Sequence, residues 1–314
     1  GLVKDVSSGS AVKIPYAGMW SFNNMLVFVV DDGVHGYDLW KSDGTSAGTQ
    51  LIKDLFPGSE TGFVTVNYHD SNTLFFECID GSANQMQLWK LDAPSMNTSM
   101  VMDLPSLDGL FKNFVKSQGI YYFIGSDTEH GPELWRTDGT EAGTKIVKDI
   151  WPGSNPGFHN MGTPALYSLP SLFSFNGKLF FSADDGVHSG ELWSSDGTEP
   201  GTQMVKDINR YREGMPPLTD TLYNRYISSH VLMGTDTLLY FTVPNRFSSP
   251  GSTLWRSDGS ESGTQRIFPS IGNDSETWVS DHGQVGDLLF FLADSVTNAG
   301  IWQTDGSVSG THLV

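Results

Sequence analysis

Glu191-Leu192-Trp193-Ser194-Ser195-Asp196-Gly197-Thr198 is the stretch on which the fold turns. Its first five residues read as a short strand, and Asp-Gly-Thr reads as the polar turn that ends it. Upstream, Ser171-Leu172-Phe173-Ser174-Phe175 is a strand closed by Asn176-Gly177, the strongest two-residue hairpin signal. Lys178–Ala183 is a second strand, closed by Asp184-Asp185-Gly186, and downstream Gln203–Ile208 is a fourth. Four short strands therefore follow one another with little between them but turns.

The same phrase recurs at Asp38–Thr45, Glu133–Thr140, Thr253–Ser260 and Gly300–Ser307, with a decayed copy at Gln87–Asp92. Its tryptophans fall at Trp40, Trp89, Trp135, Trp193, Trp255 and Trp302, at intervals of 46 to 62 residues. The way from Trp302 through the end of the chain and back to Trp40 spans a similar length, so the units close on themselves. A four-stranded unit repeated six times at this period predicts an all-β fold, a six-bladed β-propeller of four-stranded antiparallel blades. The blades are expected near 17–56, 62–104, 111–152, 170–208, 228–271 and 278–314, in one domain spanning 1–314. No sustained helical periodicity supports an α-solenoid, and a β-helix needs a shorter period.

Within the unit, the Trp is expected to fill the wedge between neighbouring sheets, because a large ring buries the most apolar area per residue. The Asp of each turn (Asp43, Asp92, Asp138, Asp196, Asp258 and Asp305) is expected to accept hydrogen bonds from amides of its own turn. Six such turns spread over a propeller rim lie too far apart to share one metal ion.

Against 36 acidic residues stand 18 basic ones, giving a net charge of -18 and a pI near 4.6. That balance argues against nucleic acid as a partner and against anionic membrane surfaces. No stretch reaches the length of a membrane span, so membrane insertion is not expected. Cys78, the only cysteine, lies in the apolar run Leu74–Ile79, where it reads as a small strand residue, and an internal disulfide is ruled out. Beginning at Gly1 with no signal sequence, the chain reads as a mature protein or an excised piece.

Candidate functional residues are few. Asp31-Asp32-Gly33-Val34-His35-Gly36, Ser126–Gly131 and Asp184-Asp185-Gly186-Val187-His188 recur between second and third strands. Asp31, Asp32, Asp184 and Asp185 offer oxygen ligands to Ca²⁺, the one cofactor worth considering, although the spacing matches no complete metal loop. No catalytic constellation stands out among so many turn carboxylates, and an enzyme is not the expectation. Two long links, 151–170 and 209–229, carry aromatics, prolines and three of the seven arginines, and insertions on repeat scaffolds tend to carry binding. Asn97 and Asn273 sit in N-glycosylation sequons.

The ends repeat each other. Leu2-Val3-Lys4-Asp5-Val6 matches the fourth strand seen in Leu51–Leu55 and Ile146–Ile150, while Leu313-Val314 begins that strand again. One strand represented twice serves either ring closure or pairing with a neighbouring molecule, which points to the chain itself as partner in an oligomer or filament.

Glu133–Ile150 and Glu191–Ile208 carry the pattern Glu-Leu-Trp-x-x-Asp-Gly-Thr followed by Gly-Thr and Val-Lys-Asp-Ile, and Asp38–Leu55 follows closely. Thr253–Ile271 and Gly300–Val314 follow in part, and the second unit keeps only Leu88, Trp89 and Asp92. The chain thus resembles the ELWxxDGT repeat family, whose members look like extracellular or cell-surface proteins with no assigned activity. That resemblance implies a propeller-like surface protein and supplies no catalytic residue. The reading is an extracellular structural or adhesive module, with glycan binding or glycoside hydrolysis on the face of the two long links as the rival.

Overall fold

The computed structural model describes residues 1–6, 18–55, 63–80, 85–104, 111–158, 172–188, 190–208, 233–244, 252–268, 278–294 and 299–314. All the regular structure among them is β, in six four-stranded antiparallel sheets. Sheet one holds β1 (Met19–Phe22), β2 (Met25–Asp31), β3 (Tyr37–Ser42) and β4 (Gln50–Lys53). Sheet two holds β5 (Phe63–His69), β6 (Thr73–Asp80), β7 (Gln85–Asp92) and β8 (Asn97–Leu104), and sheet three β9 (Phe111–Ser117), β10 (Ile120–Gly125), β11 (Glu133–Thr137) and β12 (Lys145–Lys148). Sheet four is β13 (Phe173–Phe175), β14 (Lys178–Ala183), β15 (Glu191–Ser195) and β16 (Gln203–Lys206). Sheet five is β17 (Met233–Gly234), β18 (Leu239–Pro244), β19 (Ser252–Ser257) and β20 (Gln265–Phe268), and sheet six β21 (Trp278–Val285), β22 (Leu288–Asp294), β23 (Gly300–Thr304) and β24 (His312–Leu313). Sequence neighbours are spatial neighbours throughout, so every sheet is a meander of the kind that forms a propeller blade.

The repeat fixes the register. In sheets one, two, four, five and six the Trp of the third strand lies opposite a Phe of the second: Phe28 with Trp40, Phe76 with Trp89, Phe181 with Trp193, Phe241 with Trp255, and Phe291 with Trp302. On the other side of that strand, the ladder slips by one residue between the Leu and the Trp in sheets one, two, four and five. Such a bulge adds twist to the outer strand. Because side chains alternate, Leu and Trp face opposite sides of their sheet.

The described residues form two compact units, 1–130 with 134–146, and 131–133 with 147–314. In the first, one cluster joins Val29 and Leu39 of sheet one to Leu74 and Phe76 of sheet two, with Trp89 packed against it. A second joins Phe75 and Leu88 of sheet two to Phe123 and Trp135 of sheet three. In the second unit, Leu192 of sheet four meets Phe241 and Trp255 of sheet five, and Leu254 of sheet five meets Phe291 and Trp302 of sheet six. One rule describes all four clusters: the Leu face of a sheet packs on the Trp face of the next. Each fully buried Leu contributes roughly 1.5–3 kcal/mol from removal of apolar surface from water.

Candidate functional site

At one end of the sheets, five turns repeat a single hydrogen-bond circuit. In sheet one the Thr45 amide and hydroxyl both donate to Asp43 Oδ1 (2.8 and 2.7 Å), and the Gly48 amide donates to Thr45 Oγ1 (2.9 Å). The Thr49 hydroxyl donates to the Thr45 carbonyl (2.7 Å), so Ser42, 2.7 Å away, must donate to Thr49 Oγ1 while accepting from the Gly44 amide. Asp138, Asp196, Asp258 and Asp305 stand in the same circuit with their own Thr or Ser partners. The hydroxyl and then the amide bonds hold these five carboxyls below the usual Asp range. Each carboxylate lies against the Gly five residues on, where a Cβ would collide with it. Asp92 departs from this expectation. Sheet two has Leu91, Ala93 and Pro94 where the others have hydroxyls and Gly, and Asp92 instead pairs with Lys90 Nζ at 3.0 Å.

The opposite end, where second strands turn into third strands, carries three Asp–His pairs. Asp32 Oδ1 accepts from the Val34 and His35 amides, and its Oδ2 lies 2.7 Å from His35 Nδ1. Asp185 and His188 repeat this at 2.8 Å, and Asp127 and His130 at 3.0 Å. The aspartate contact raises the His35 and His188 pKa values above the ordinary imidazole range, and Asp54 and Asp207, one residue past the ends of β4 and β16, reinforce it. Among the candidate Ca²⁺ ligands, Asp31 Oδ1 accepts from the Gly33 amide and Asp184 Oδ1 from the Gly186 amide. Among the described residues no group of three or more His, Cys, Asp or Glu is placed to hold a metal ion.

The acidic residue two before the Trp has a role that local sequence reading missed. Asp38 Oδ1 accepts from Leu55 N (3.0 Å) and Glu191 Oε2 from Ile208 N (2.8 Å). Glu133 accepts from Ile150 N (3.1 Å), Trp151 N (3.1 Å) and Gly157 N (3.0 Å). These carboxylates fasten the chain as it leaves the fourth strand. Burial pushes Asp38 up to about 6 and Glu133 up to about 8, against the pull of those amides. In sheets two and five, Gln87 and Thr253 at this position accept instead from the Trp89 and Trp255 indoles, each at 3.0 Å. The signal was present as the recurrent acid before Leu-Trp, but its partner stands 17 residues away.

Residues 151–158 of the first long link are laced down in the same region. Phe158 N donates to Pro132 O (3.0 Å), Asp184 N to Gly157 O (2.9 Å), and the Trp151 indole lies over Gly186, whose φ is +82°. The rest of that link and all of 209–229 lie outside the described residues, as does Asn273. Asn97 is exposed at the start of β8. Cys78 is fully buried, and burial raises its thiol pKa well above the ordinary value.

The terminal segments occupy distinct settings. Residues 1–6 belong to no strand, yet Lys4 Nζ donates to the Thr49 carbonyl (2.7 Å). Lys148 reaches Thr202 O (3.0 Å) and Lys206 reaches Thr264 O (2.9 Å), each from a fourth strand to the Gly-Thr corner of the next sheet. Lys53 and Lys148 also lie over Trp89 and Trp193, 5.2 and 5.8 Å from the ring centres. Lys4 thus stands on sheet one as a fourth-strand lysine stands on the sheet that follows it. At the other end, Leu313 pairs with Trp302, and Val314 N donates to Ile301 O (2.9 Å).

No protein-family model and no curated protein matches the chain. Among solved structures it is similar to TolB from Acinetobacter baumannii (12% identity, 87% of this chain and 58% of that one, TM-score 0.37). It is also similar to the β-propeller domain of the Trilobed protease from Pyrococcus furiosus (9% identity, 95% and 83%, TM-score 0.46). A third similarity is to a prolyl endopeptidase (14% identity, 97% and 40%, TM-score 0.46). The chain spans only 58% of TolB and 40% of the endopeptidase. Likeness at these scores carries nothing about activity, and the all-β assignment stands on the strands themselves.

Proposed function

We propose that the six sheets are the blades of one propeller domain of an extracellular structural or adhesive protein, and that copies of it join through residues 1–6. The observation that carries this is the Lys4–Thr49 contact, which repeats the fourth-strand contacts of Lys148 and Lys206. A segment with the sequence and the lysine contact of a fourth strand, but outside any ladder, is suited to complete a sheet by strand addition. The resemblance of the repeat to the ELWxxDGT pattern fits a surface location. Electron microscopy of the native material, beside a variant lacking residues 1–6, tests the reading. Fibres or regular multimers are expected from the full chain and not from the truncated one, and single particles from both would refute it.

A second reading, glycan binding at the link end, draws on the half-buried Trp151 indole beside the Asp185–His188 pair. Aromatic faces flanked by carboxylates suit sugar rings. A glycan array with wild type and Trp151→Ala separates it from the first: sugar binding lost in the variant supports it, and a blank array removes it.

A further inference from the structure

Two carboxyls hold one loop in the second compact unit. Glu133 opens β11 and Asp149 follows the last residue of β12, its antiparallel neighbour, so both stand at the same end of the strand pair. Glu133 is fully buried and accepts the Ile150, Trp151 and Gly157 amides, while Asp149 Oδ2 accepts from the Gly153 amide (3.1 Å). Residues 150–157 are therefore held between two acidic groups. A Cβ on Gly157 would collide with the Glu133 carboxyl, so the loop is drawn tight against it. The other oxygen of Asp149, Oδ1, is buried without a hydrogen-bond partner. A buried acceptor left unpaired is costly, and two neighbouring buried carboxylates cannot both ionise cheaply. One proton removes both costs. Sheet one repeats the arrangement in reduced form: Asp38 Oδ1 holds the Leu55 amide, while Asp38 Oδ2 and Asp54 Oδ1 are both buried with no partner.

We infer that Glu133 and Asp149 share one proton that latches residues 150–157 onto sheet three, and that loss of this proton at alkaline pH releases the loop. With the proton on Glu133 Oε2, the hydroxyl donates to Asp149 Oδ1 and still accepts from the Ile150 amide, and Oε1 keeps the Trp151 and Gly157 amides. Loss of the proton to solvent leaves two like charges at the end of one strand pair. Burial, and then the Asp149 charge, favour the protonated form of Glu133, whose pKa is raised to about 8. The next carboxylate, Asp184 at the end of β14, faces the loop through its backbone: its amide donates to Gly157 O, and its own Oδ1 accepts from the Gly186 amide. Asp185 and His188, one turn further, are paired with each other. Release also frees the Trp151 indole, which is seated over Gly186. The latch thus sets, through pH, how the first long link covers the Asp184–His188 turn.

Amide hydrogen exchange tests the latch, read by mass spectrometry as protection relative to the intrinsic rate at each pH. An opening linked to loss of one proton shifts by up to about tenfold per pH unit above the folded pKa. Protection of the 150–157 amides should therefore fall about tenfold between about pH 8 and about pH 9.5, while that of Phe181 in β14 stays constant. Asp149→Asn keeps an oxygen for Gly153 and puts an amide donor where Oδ1 stands, so its loop should stay protected throughout. Glu133→Gln has no proton to lose, and its loop should exchange with no dependence on pH beyond the intrinsic one. Constant protection in the wild type would overturn the inference. So would a loss in Asp149→Asn equal to that of the wild type, or a loss at Phe181 in step with the loop, which would make the event global unfolding.

Discussion

A methyl group on Gly143 would collide with the Asp138 carboxylate, although the backbone there is not in the left-handed region. Gly143→Ala is therefore expected to destabilise by about 1–3 kcal/mol through overpacking alone. Adding Asp138→Ala should recover part of that loss, because the colliding group is gone; additive losses in a denaturant double-mutant cycle would contradict the close approach. Glu133 gives a second test at this scale. Its carboxyl, ordinarily at 4.5, is raised to about 8 in the folded chain, so between those values the folded state binds a proton that the unfolded state has released. The slope of stability against pH is then negative, and stability falls as pH rises from about 4.5 to about 8. His35 and His188, raised by their aspartates, act in the same direction: their stabilisation is complete below the ordinary imidazole value of 6.5 and fades as pH climbs through their folded values. Urea unfolding between pH 5 and pH 9 should show this decline, and Glu133→Gln should flatten it. An equal slope in the variant would place the effect elsewhere.

Single strands and turns were the most legible elements. In sheet four the second and third strands, Lys178–Ala183 and Glu191–Ser195, follow directly from alternation and from Asn-Gly and Asp-Gly turn chemistry. The fourth strand was read through Ile208, but the ladder ends at Lys206, because Ile208 N turns away to Glu191 Oε2. That bond spans 17 residues, and nothing local announces it. The same holds for the lysine contacts between sheets, which depend on which sheet follows which. The Asp–His pairs were visible as recurring residues, but only coordinates show that their carboxylates are already taken by amides. At this scale the packing rule predicts unequal tryptophans. Trp135, buried against Phe123 and the cluster of sheets two and three, should cost about 3–5 kcal/mol on replacement by Ala. Trp302, only partly buried, should cost less. Equal losses by thermal or chemical denaturation would contradict the rule.

For the molecule as a whole, a charge of -18 opposes any association of like chains. For copies to join through residues 1–6 as proposed, exposed apolar residues such as Leu2 and Val3 must outweigh that repulsion, which salt screens over a Debye length of about 8 Å at physiological ionic strength. Assembly is therefore expected to strengthen with added salt, and light scattering that falls as salt rises would point to ion pairs in place of apolar contact. The most direct measurement is sedimentation equilibrium of the full chain over a range of concentrations. Joining through residues 1–6 requires an average mass that rises above the single-chain 34.4 kDa as concentration increases. A constant mass of one chain at every concentration would contradict it.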